Sequence, residues 1–369
     1  MTTMHNDGAR IAPARLFSLF CIFFLVACGL GYPVLNRYDP RQTPGLSDVR
    51  TYAALVTGTP IVDTEDSRFR RFRVLVPWMS RPFYLLAQGR VASWDPVMFG
   101  LLVSDSLFVA ATAVLVVIFG GILGRRRSGK SAAGSISSID SSVESSAAGL
   151  VAALLYLVNF AVPNFRLVGL VDAGEGFFLL ALLWSLSEFK LWALPVIAIM
   201  GTLTKESFIP FSIVLSSAWW LSIRSEFKNS KNASLRVRDH FLPDAVWILT
   251  SWTLSLATMI LLQRSIVGQF VSPLHFGLAL HRSGGYEFAS SLRDRNLSYI
   301  FLWLLPTALP NLKRLPKMWI IPVAATCATA FALDAYFGGA PGTVGRALFT
   351  IAGPVLSLSS ALFLLRISR

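Results

Sequence analysis

Long apolar runs separated by short polar segments make up most of the chain. A helix that spans a membrane needs about 20 consecutive apolar residues. Runs of roughly this kind cover 16–35, 97–124, 147–165, 176–189, 191–203, 207–223, 243–263, 297–312, 318–337 and 345–365. The pattern predicts an all-α fold: a polytopic helical bundle with about ten transmembrane helices, forming one membrane domain over residues 1–369.

The polar segments between these runs predict the connections. The longest, 36–96, follows the first span and is predicted to be a first extracytoplasmic loop. Structureless loops of this length are rare in compact proteins, so we expect it to be functional or folded on itself. Its part 72–86 is apolar but interrupted by proline, which favours a helix, or a broken pair of helices, lying in the membrane interface. The Ser- and Gly-rich segment 125–146 predicts a flexible cytoplasmic linker, and 224–242 a basic cytoplasmic loop.

Composition supports a membrane protein over a soluble one. Of 369 residues, 54% are hydrophobic and 14% charged, whereas soluble domains carry about 25% charged residues. The mean hydropathy is +0.59. The net charge of +13 would suggest nucleic-acid binding in a soluble protein. Here the basic residues mostly flank apolar runs, so we expect no nucleic-acid partner.

The distribution of Lys and Arg predicts how the chain is oriented. Short cytoplasmic loops are enriched in these residues, and basic groups such as 125–127 and 313–314 directly follow predicted spans. We therefore expect an integral protein of a bacterial inner (plasma) membrane with both termini in the cytoplasm. The run ending at Cys28 also resembles a lipoprotein signal, an alternative to a first membrane helix.

No cofactor or metal site is predicted. The three cysteines Cys21, Cys28 and Cys327 all lie inside apolar runs, and the histidines are scattered, so neither a disulfide framework nor a metal-ligand spacing is indicated. A divalent metal held by carboxylates is left open.

Two charged residues of the first loop are candidates for the site. Asp48 follows the first span, and a carboxylate there could act as a general base on a hydroxyl or simply cap a helix. Arg73 ends a basic group that begins at Arg68. It could bind phosphate, or the group could reach to lipid headgroups or pair with nearby acids.

Three further groups lie at predicted span ends. Asp172 and Glu175, in a predicted turn over 169–176, could orient an acceptor, bind a metal or cap the next helix. Lys205 and Glu206 follow a short span and could pair with each other, or Lys205 could meet a phosphate that Glu206 orients. Arg346, beside a Gly-rich turn, could contact an anion or anchor to headgroups.

Several of these residues carry a family resemblance. They are Asp48, Tyr52, the segment Arg73 to Trp78, Asp172, and Leu203 to Glu206. Their arrangement over roughly the first 210 residues resembles the polytopic GT-C glycosyltransferases of bacterial cell-surface glycan assembly. The resemblance implies a polyprenyl-phosphate sugar donor and a glycan, lipid or protein acceptor on the outer face, with Asp48 near the reacting centre.

The expected activity is an inverting glycosyl transfer. Asp48 would be the catalytic base, and Lys205, Arg346 and Arg73 would hold the leaving phosphate, while Asp172 would position the acceptor. The chain lacks an Asp-x-Asp motif, which disfavours a metal-dependent diphosphate donor. Two alternatives remain open: a transporter or flippase for a lipid-linked or anionic solute, and a non-catalytic membrane subunit of an envelope assembly.

Overall fold

A computed structural model shows an all-helical protein, as predicted. The structure describes residues 12–37, 47–61, 67, 70–90, 93–128, 137–228, 236–268, 295–337 and 343–367. Within these ranges there is no β-strand. The helices are α1 (Pro13–Arg37), α2 (Ser47–Thr57), α3 (Leu75–Ala87), α4 (Pro96–Ser128), α5 (Ser137–Leu157), α6 (Asp172–Ser187), α7 (Leu194–Thr204), α8 (Phe208–Lys228), α9 (Arg236–Val267), α10 (Arg295–Phe301), α11 (Leu304–Ala308), α12 (Lys317–Phe337) and α13 (Thr343–Ile367).

Short helical pieces of other kinds complete the described chain. A π-helical turn, Val162–Arg166, lies between α5 and α6, and 3₁₀ turns at Leu191–Ala193 and Leu309–Arg314 precede α7 and follow α11.

Five helices are long and apolar enough to cross a membrane, so the predicted number of about ten is not supported by the described part of the chain. The five are Pro13–Leu35, Pro96–Arg126, Asp244–Ile266, Lys317–Ala335 and Thr343–Ile367. Of the other predicted spans, 207–223 lies in the continuous 21-residue helix α8, which is not among the five, and the rest are shorter or interrupted. Prolines at 306 and 310 divide the predicted span 297–312 into three short helical pieces, since proline removes a backbone donor.

The predicted connections contain more helix than their composition indicates. The predicted flexible linker 125–146 is wrong at both ends, because α4 continues to Ser128 and α5 begins at Ser137. The predicted basic loop 224–242 is likewise mostly helical, because α8 ends at Lys228 and α9 begins at Arg236. Serine, alanine and basic side chains are compatible with a helix that continues beyond its apolar part.

The first loop contains two helices. The helix predicted in 72–86 is observed as α3, with Pro82 inside it. A second helix, α2, begins at Ser47, and both α2 and α3 pack against α4. The remainder of the segment 36–96 includes residues outside the described ranges.

Two helices form the centre of the bundle. In the apolar stretch of α13, 83% is buried inside the protein, whereas in the apolar stretch of α9 only 22% is buried. Besides α2 and α3, α4 packs against α1, α5 and α6, and α13 packs against α5, α11 and α12. The less buried helices α1, α9 and α12 therefore lie at the periphery, where their apolar side chains can face lipid.

Contacts made by α4 define two ends of the bundle. Near its start, Asp105 contacts the turn before α6, whereas Arg125 and Arg126 contact Glu188 and Ser187 at the end of α6. A helix rises about 1.5 Å per residue, so Asp105 and Arg125 lie about 30 Å apart, close to the thickness of a bilayer's hydrocarbon core. We call these the ionic end and the basic end.

Candidate functional site

The first turn of α6 places two acids at the ionic end. α6 begins at Asp172 and includes Glu175, so the predicted turn over 169–176 is wrong for its second half. Both side chains are buried. The partial positive charge of a helix N-terminus favours carboxylates at these positions, but each carboxylate also has a cationic partner.

Lys205 is the partner that the two acids share. It follows the last residue of α7 in extended conformation, and its ammonium donates to Asp172 Oδ1 at 2.7 Å and to Glu175 Oε2 at 2.9 Å. Ser207 donates to the other oxygen of Glu175. The side chain of Lys205 is therefore bound by α6, so its pairing with Glu206, one of the two alternatives left open by the sequence, is not the one observed.

Arg346 approaches Asp172 from a different helix. It lies in the first turn of α13, and its Nε donates to Asp172 Oδ2 at 2.9 Å. A terminal guanidinium nitrogen donates to the same oxygen. The guanidinium also lies 5.9 Å from the ring centre of Phe165. Asp172 thus accepts hydrogen bonds from two cations, one on each of its oxygens.

Arg73 binds Glu206 through both sides of its guanidinium fork. Its Nε donates to Glu206 Oε2 at 2.8 Å and a terminal nitrogen donates to Oε1. The other terminal nitrogen donates to the Tyr52 hydroxyl at 2.8 Å and lies 3.5 Å from Asp48 Oδ2. Arg70 pairs with Asp48 at 2.8 Å. These pairs attach the first loop to the start of α8.

Together these groups form a charge-balanced set at the ionic end, which we call the ionic cluster. It contains four acids and four bases: Asp48, Arg70, Arg73, Asp172, Glu175, Lys205, Glu206 and Arg346. All seven predicted site residues belong to it, so the structure brings them together, while their chemical roles stay predictions. The two halves are joined by the backbone between Lys205, which pairs with Asp172, and its neighbour Glu206, which pairs with Arg73.

Burial is uneven across the ionic cluster. The side chains of Glu175 and Asp172 are 0% and 4% exposed, whereas those of Lys205, Glu206 and Arg346 are 18%, 22% and 25% exposed. The two acids of α6 therefore lie at the buried bottom of the cluster, and the other groups form a partly exposed rim that a ligand can reach.

The cations of the cluster keep its acids ionised. Burial raises the pKa of Asp172, but Arg346 and Lys205 outweigh it, so this pKa lies far below its usual range. Burial also raises the pKa of Glu206, and the charge and hydrogen bonds of Arg73 outweigh it to give a lowered pKa. Each depressed pKa reflects an opposite charge within hydrogen-bonding distance.

The bases are held in their charged forms for the same reason. Burial lowers the pKa of Lys205, but Asp172 and Glu175 raise it further, and the net pKa lies above its usual value. Burial lowers the pKa of Arg73 and Glu206 raises it well above normal. Burial also raises the pKa of Tyr52 to about 12, so the tyrosine is neutral at physiological pH.

Arg166 supports the cluster and was missed by the sequence analysis. It is buried at the end of the π-helical turn, where it donates to the Asp172 carbonyl oxygen at 2.6 Å and to Thr350 Oγ1 at 2.8 Å. A Cβ atom at Gly176 would lie 2.4 Å from this guanidinium, so glycine is needed for the close approach. The signal in the sequence was a single arginine next to an apolar run.

The described residues contain no group of three or more His, Cys, Asp or Glu side chains placed to hold a metal ion. Asp172 and Glu175 are bound instead by Lys205, and Glu206 by Arg73. The cluster therefore presents paired cations and carboxylates to a ligand.

Comparisons of the chain with protein-family models, with curated proteins and with solved structures returned no match.

Proposed function

We propose that the protein is a membrane glycosyltransferase that moves a sugar from a polyprenyl-phosphate donor to an extracytoplasmic acceptor in cell-envelope glycan assembly. The observation that supports this proposal is the ionic cluster. It gathers predicted catalytic and phosphate-binding residues, distant in sequence, at one end of an apolar helical bundle. A donor that is anchored in lipid requires an enzyme whose site opens near the membrane surface.

The shared pairing of Asp172 suits a phosphate that arrives and leaves. Asp172 is bound by both Lys205 and Arg346, so Arg346 can turn toward a phosphate while Lys205 continues to neutralise the carboxylate. The partly exposed Arg346 is accessible to a ligand. Guanidinium groups bind phosphate oxygens in a fork and stabilise negative charge that develops on the leaving group.

Asp48 is the carboxylate best placed to act as the base. Glu206 is held on both oxygens by Arg73, Asp172 is bound by two cations, and Glu175 is fully buried. Asp48 is also paired, with Arg70 at 2.8 Å and with Arg73 at 3.5 Å, but the contact with Arg73 is long and the side chain is 23% exposed, so the oxygen that faces Arg73 can still accept a proton.

In the proposed reaction, Asp48 takes the proton of the acceptor hydroxyl while the hydroxyl oxygen bonds to the anomeric carbon. The bond from that carbon to the phosphate oxygen breaks, and the lipid phosphate leaves with the electron pair. Asp172 and Glu175 act indirectly: they hold Lys205 and Arg346, the partly exposed cations that meet the substrate.

Helix α3 offers a surface for the lipid tail beside the cluster. Its residues Trp78, Leu85 and Leu86 are exposed, and Arg73 immediately precedes the helix. An exposed apolar face next to a cationic site matches a ligand with an anionic head and an isoprenoid tail. In this arrangement the basic end faces the cytoplasm, both termini are cytoplasmic, and the ionic end faces outward, in agreement with the positive-inside rule.

The test is a transfer assay in membranes that contain the protein, using a panel of radiolabelled polyprenyl-phosphate sugars and native membrane acceptors. Wild type is compared with Asp48→Asn and Lys205→Ala, and with Glu188→Gln at the basic end as a control. Loss of a general base lowers rates by about 10²- to 10⁴-fold, so we expect Asp48→Asn to lose transfer and Glu188→Gln to retain it.

The same assay separates the alternatives. Transfer and surface glycan that are unchanged in both Asp48→Asn and Lys205→Ala, at equal protein levels, would contradict the proposal and favour a non-catalytic subunit. A wild-type protein that moves the lipid-linked sugar across vesicles, without forming a glycosylated product, would instead identify a flippase.

A further inference from the structure

A buried carboxylate outside the ionic cluster contacts the turn that leads into it. Asp105 lies in α4 and is fully buried, and its Oδ2 accepts a hydrogen bond from the Gly169 backbone N–H at 3.2 Å. Gly169 has a φ of +79°, a left-handed conformation that L side chains rarely adopt. Three residues later the chain enters α6 at Asp172. Asp105 therefore holds the backbone turn that delivers Asp172 to the cluster.

Arg166 holds the same turn from its other end. The guanidinium binds the Asp172 carbonyl oxygen and Thr350 Oγ1, and the Thr350 hydroxyl donates to the Arg346 carbonyl oxygen at 2.7 Å. The turn from Arg166 to Asp172 is thus attached to α4 through Asp105 and to α13 through Arg166. These two helices form the centre of the bundle.

Folding stability does not account for Asp105. Among the described residues, its Oδ1 has no hydrogen-bond partner although it is buried. Burying a polar atom without a partner is destabilising, and a leucine of similar size would avoid that cost. The residue is therefore better explained by what its other oxygen positions than by a net contribution to the core.

We propose that Asp105 is a positioning residue, whose hydrogen bond to Gly169 places the Asp172 carboxylate where Lys205 and Arg346 meet. The inference rests on the proposed glycosyl transfer for its activity readout. Asp105 does not touch the substrate in this scheme; it acts through the backbone of residues 169–172. Loss of this hydrogen bond shifts Asp172 and the two cations that Asp172 binds. It therefore affects the placement of the reacting groups more than the binding of the lipid tail.

The experiment measures initial rates of transfer against donor concentration for wild type, Asp105→Asn and Asp105→Leu, with Ser104→Ala as the matched control. Ser104 is the neighbouring buried residue and its hydroxyl is unpartnered among the described residues. A small displacement of catalytic groups costs up to about a hundredfold in rate. We expect kcat to fall by about 10- to 100-fold in Asp105→Leu, with KM within about threefold of wild type.

Rescue by the conservative variant distinguishes positioning from charge. The amide oxygen of Asp105→Asn accepts the Gly169 N–H as the carboxylate does, so we expect it to retain kcat within about threefold, like Ser104→Ala. Equal losses in Asp105→Asn and Asp105→Leu would contradict the inference, as would an Asp105→Leu protein with unchanged kcat. If wild type shows no transfer at all, the proposed function itself fails.

A second variant keeps the test decisive if Asp105→Leu does not fold. Gly169→Ala disturbs the same turn, because it places a Cβ at a positive φ and 3.2 Å from Leu101 Cδ1. We expect Gly169→Ala to lower kcat while Asp105→Asn retains it. Retention in both variants, or loss in both, would contradict the positioning role.

Discussion

At one end of α4, four acids and four bases are paired within the ionic cluster; at the other end, cations meet groups of a different kind. Arg126 donates to the Ser187 carbonyl oxygen, Lys190 lies 4.9 Å from the ring centre of Trp184, and Arg224 lies 5.7 Å from that of Trp220. The ion pair at this end joins Arg125 to Glu188 at 3.3 Å, and the Arg125 side chain is 40% exposed.

The two ends therefore use charge for different purposes. At the basic end the cations are exposed near carbonyl groups and aromatic rings, an arrangement that anchors helix ends at a membrane surface. At the ionic end Asp172 and Glu175 are removed from water, which costs several kcal/mol per ion before pairing. Anchoring does not require that cost, whereas the proposed binding of a phosphate ligand at the ionic cluster would account for it.

The largest expected difference between the ends comes from removing one buried cation. Lys205→Met leaves Asp172 and Glu175 buried with fewer compensating charges, and removal of one partner of a buried pair costs about 3 to 5 kcal/mol. The matched change at the basic end, Arg125→Met, is expected to cost less than about 1 kcal/mol. SDS titration in mixed micelles measures both unfolding free energies, and equal losses would contradict the comparison.

Double-mutant cycles compare the strength of one ion pair at each end of the bundle. For Arg73→Gln and Glu206→Gln we expect a coupling free energy of about 1.5 to 3 kcal/mol, because the paired groups are charged and mostly buried. The corresponding cycle with Arg125→Gln and Glu188→Gln is expected to give less than about 0.5 kcal/mol. The same mixed-micelle titration supplies all the values. A coupling near zero for Arg73 and Glu206 would show that their contact is not maintained in solution.

The third expected difference is in how the free energy of unfolding changes at acidic pH. Because the pKa of Asp172 is depressed in the folded protein, its carboxylate stabilises the protein above its usual pKa of about 4. That contribution is lost as pH falls through the depressed value. We expect the stability difference between wild type and Asp172→Asn to be constant from about pH 6 to 8 and to shrink below about pH 4.

Thermal unfolding followed by tryptophan fluorescence across this pH range measures the difference. The control is Glu188→Gln, which makes the same kind of change at the basic end. An Asp172→Asn difference that stays constant down to about pH 3, below the usual carboxyl range, would contradict the assignment.

The smallest expected effect lies at the basic end. Lys190→Ala removes a cation over the Trp184 ring, and exposed contacts of this type contribute about 0.5 to 1 kcal/mol. We expect a loss of this size in unfolding free energy and unchanged transfer activity. A loss of transfer in Lys190→Ala would contradict the division of roles between the two ends.

The all-helical fold and seven of the eight residues of the ionic cluster were predictable from the sequence, Arg70 being the exception. Apolar runs indicate helices that are buried in the protein or in lipid. Charged residues are costly in an apolar setting, so those at the ends of such runs indicate function. Examples are Asp48, Asp172, Lys205 and Arg346. That argument does not require knowing which charged side chains pair with each other.

The pairings were not predictable. Glu206 lies 133 residues after Arg73, and hydropathy carries no information about contacts at that separation. Lys205 and Glu206 are neighbours in sequence, yet each turns to a different partner, because the chain leaves α7 in extended conformation and re-enters a helix at Phe208. Composition also gave the wrong prediction for 137–146, where a serine-rich segment that predicts a flexible linker is part of helix α5.

The long separations between partners set an order for biosynthesis. Arg73 is synthesised 133 residues before Glu206, and Asp172 is synthesised 174 residues before Arg346. Because α13 also supplies Thr350 to Arg166, a nascent chain that has not yet formed α13 holds several charges without their final partners. The ionic cluster is therefore complete only after α13 has been synthesised, and loss of α13 would leave Asp172 with one of its two cations.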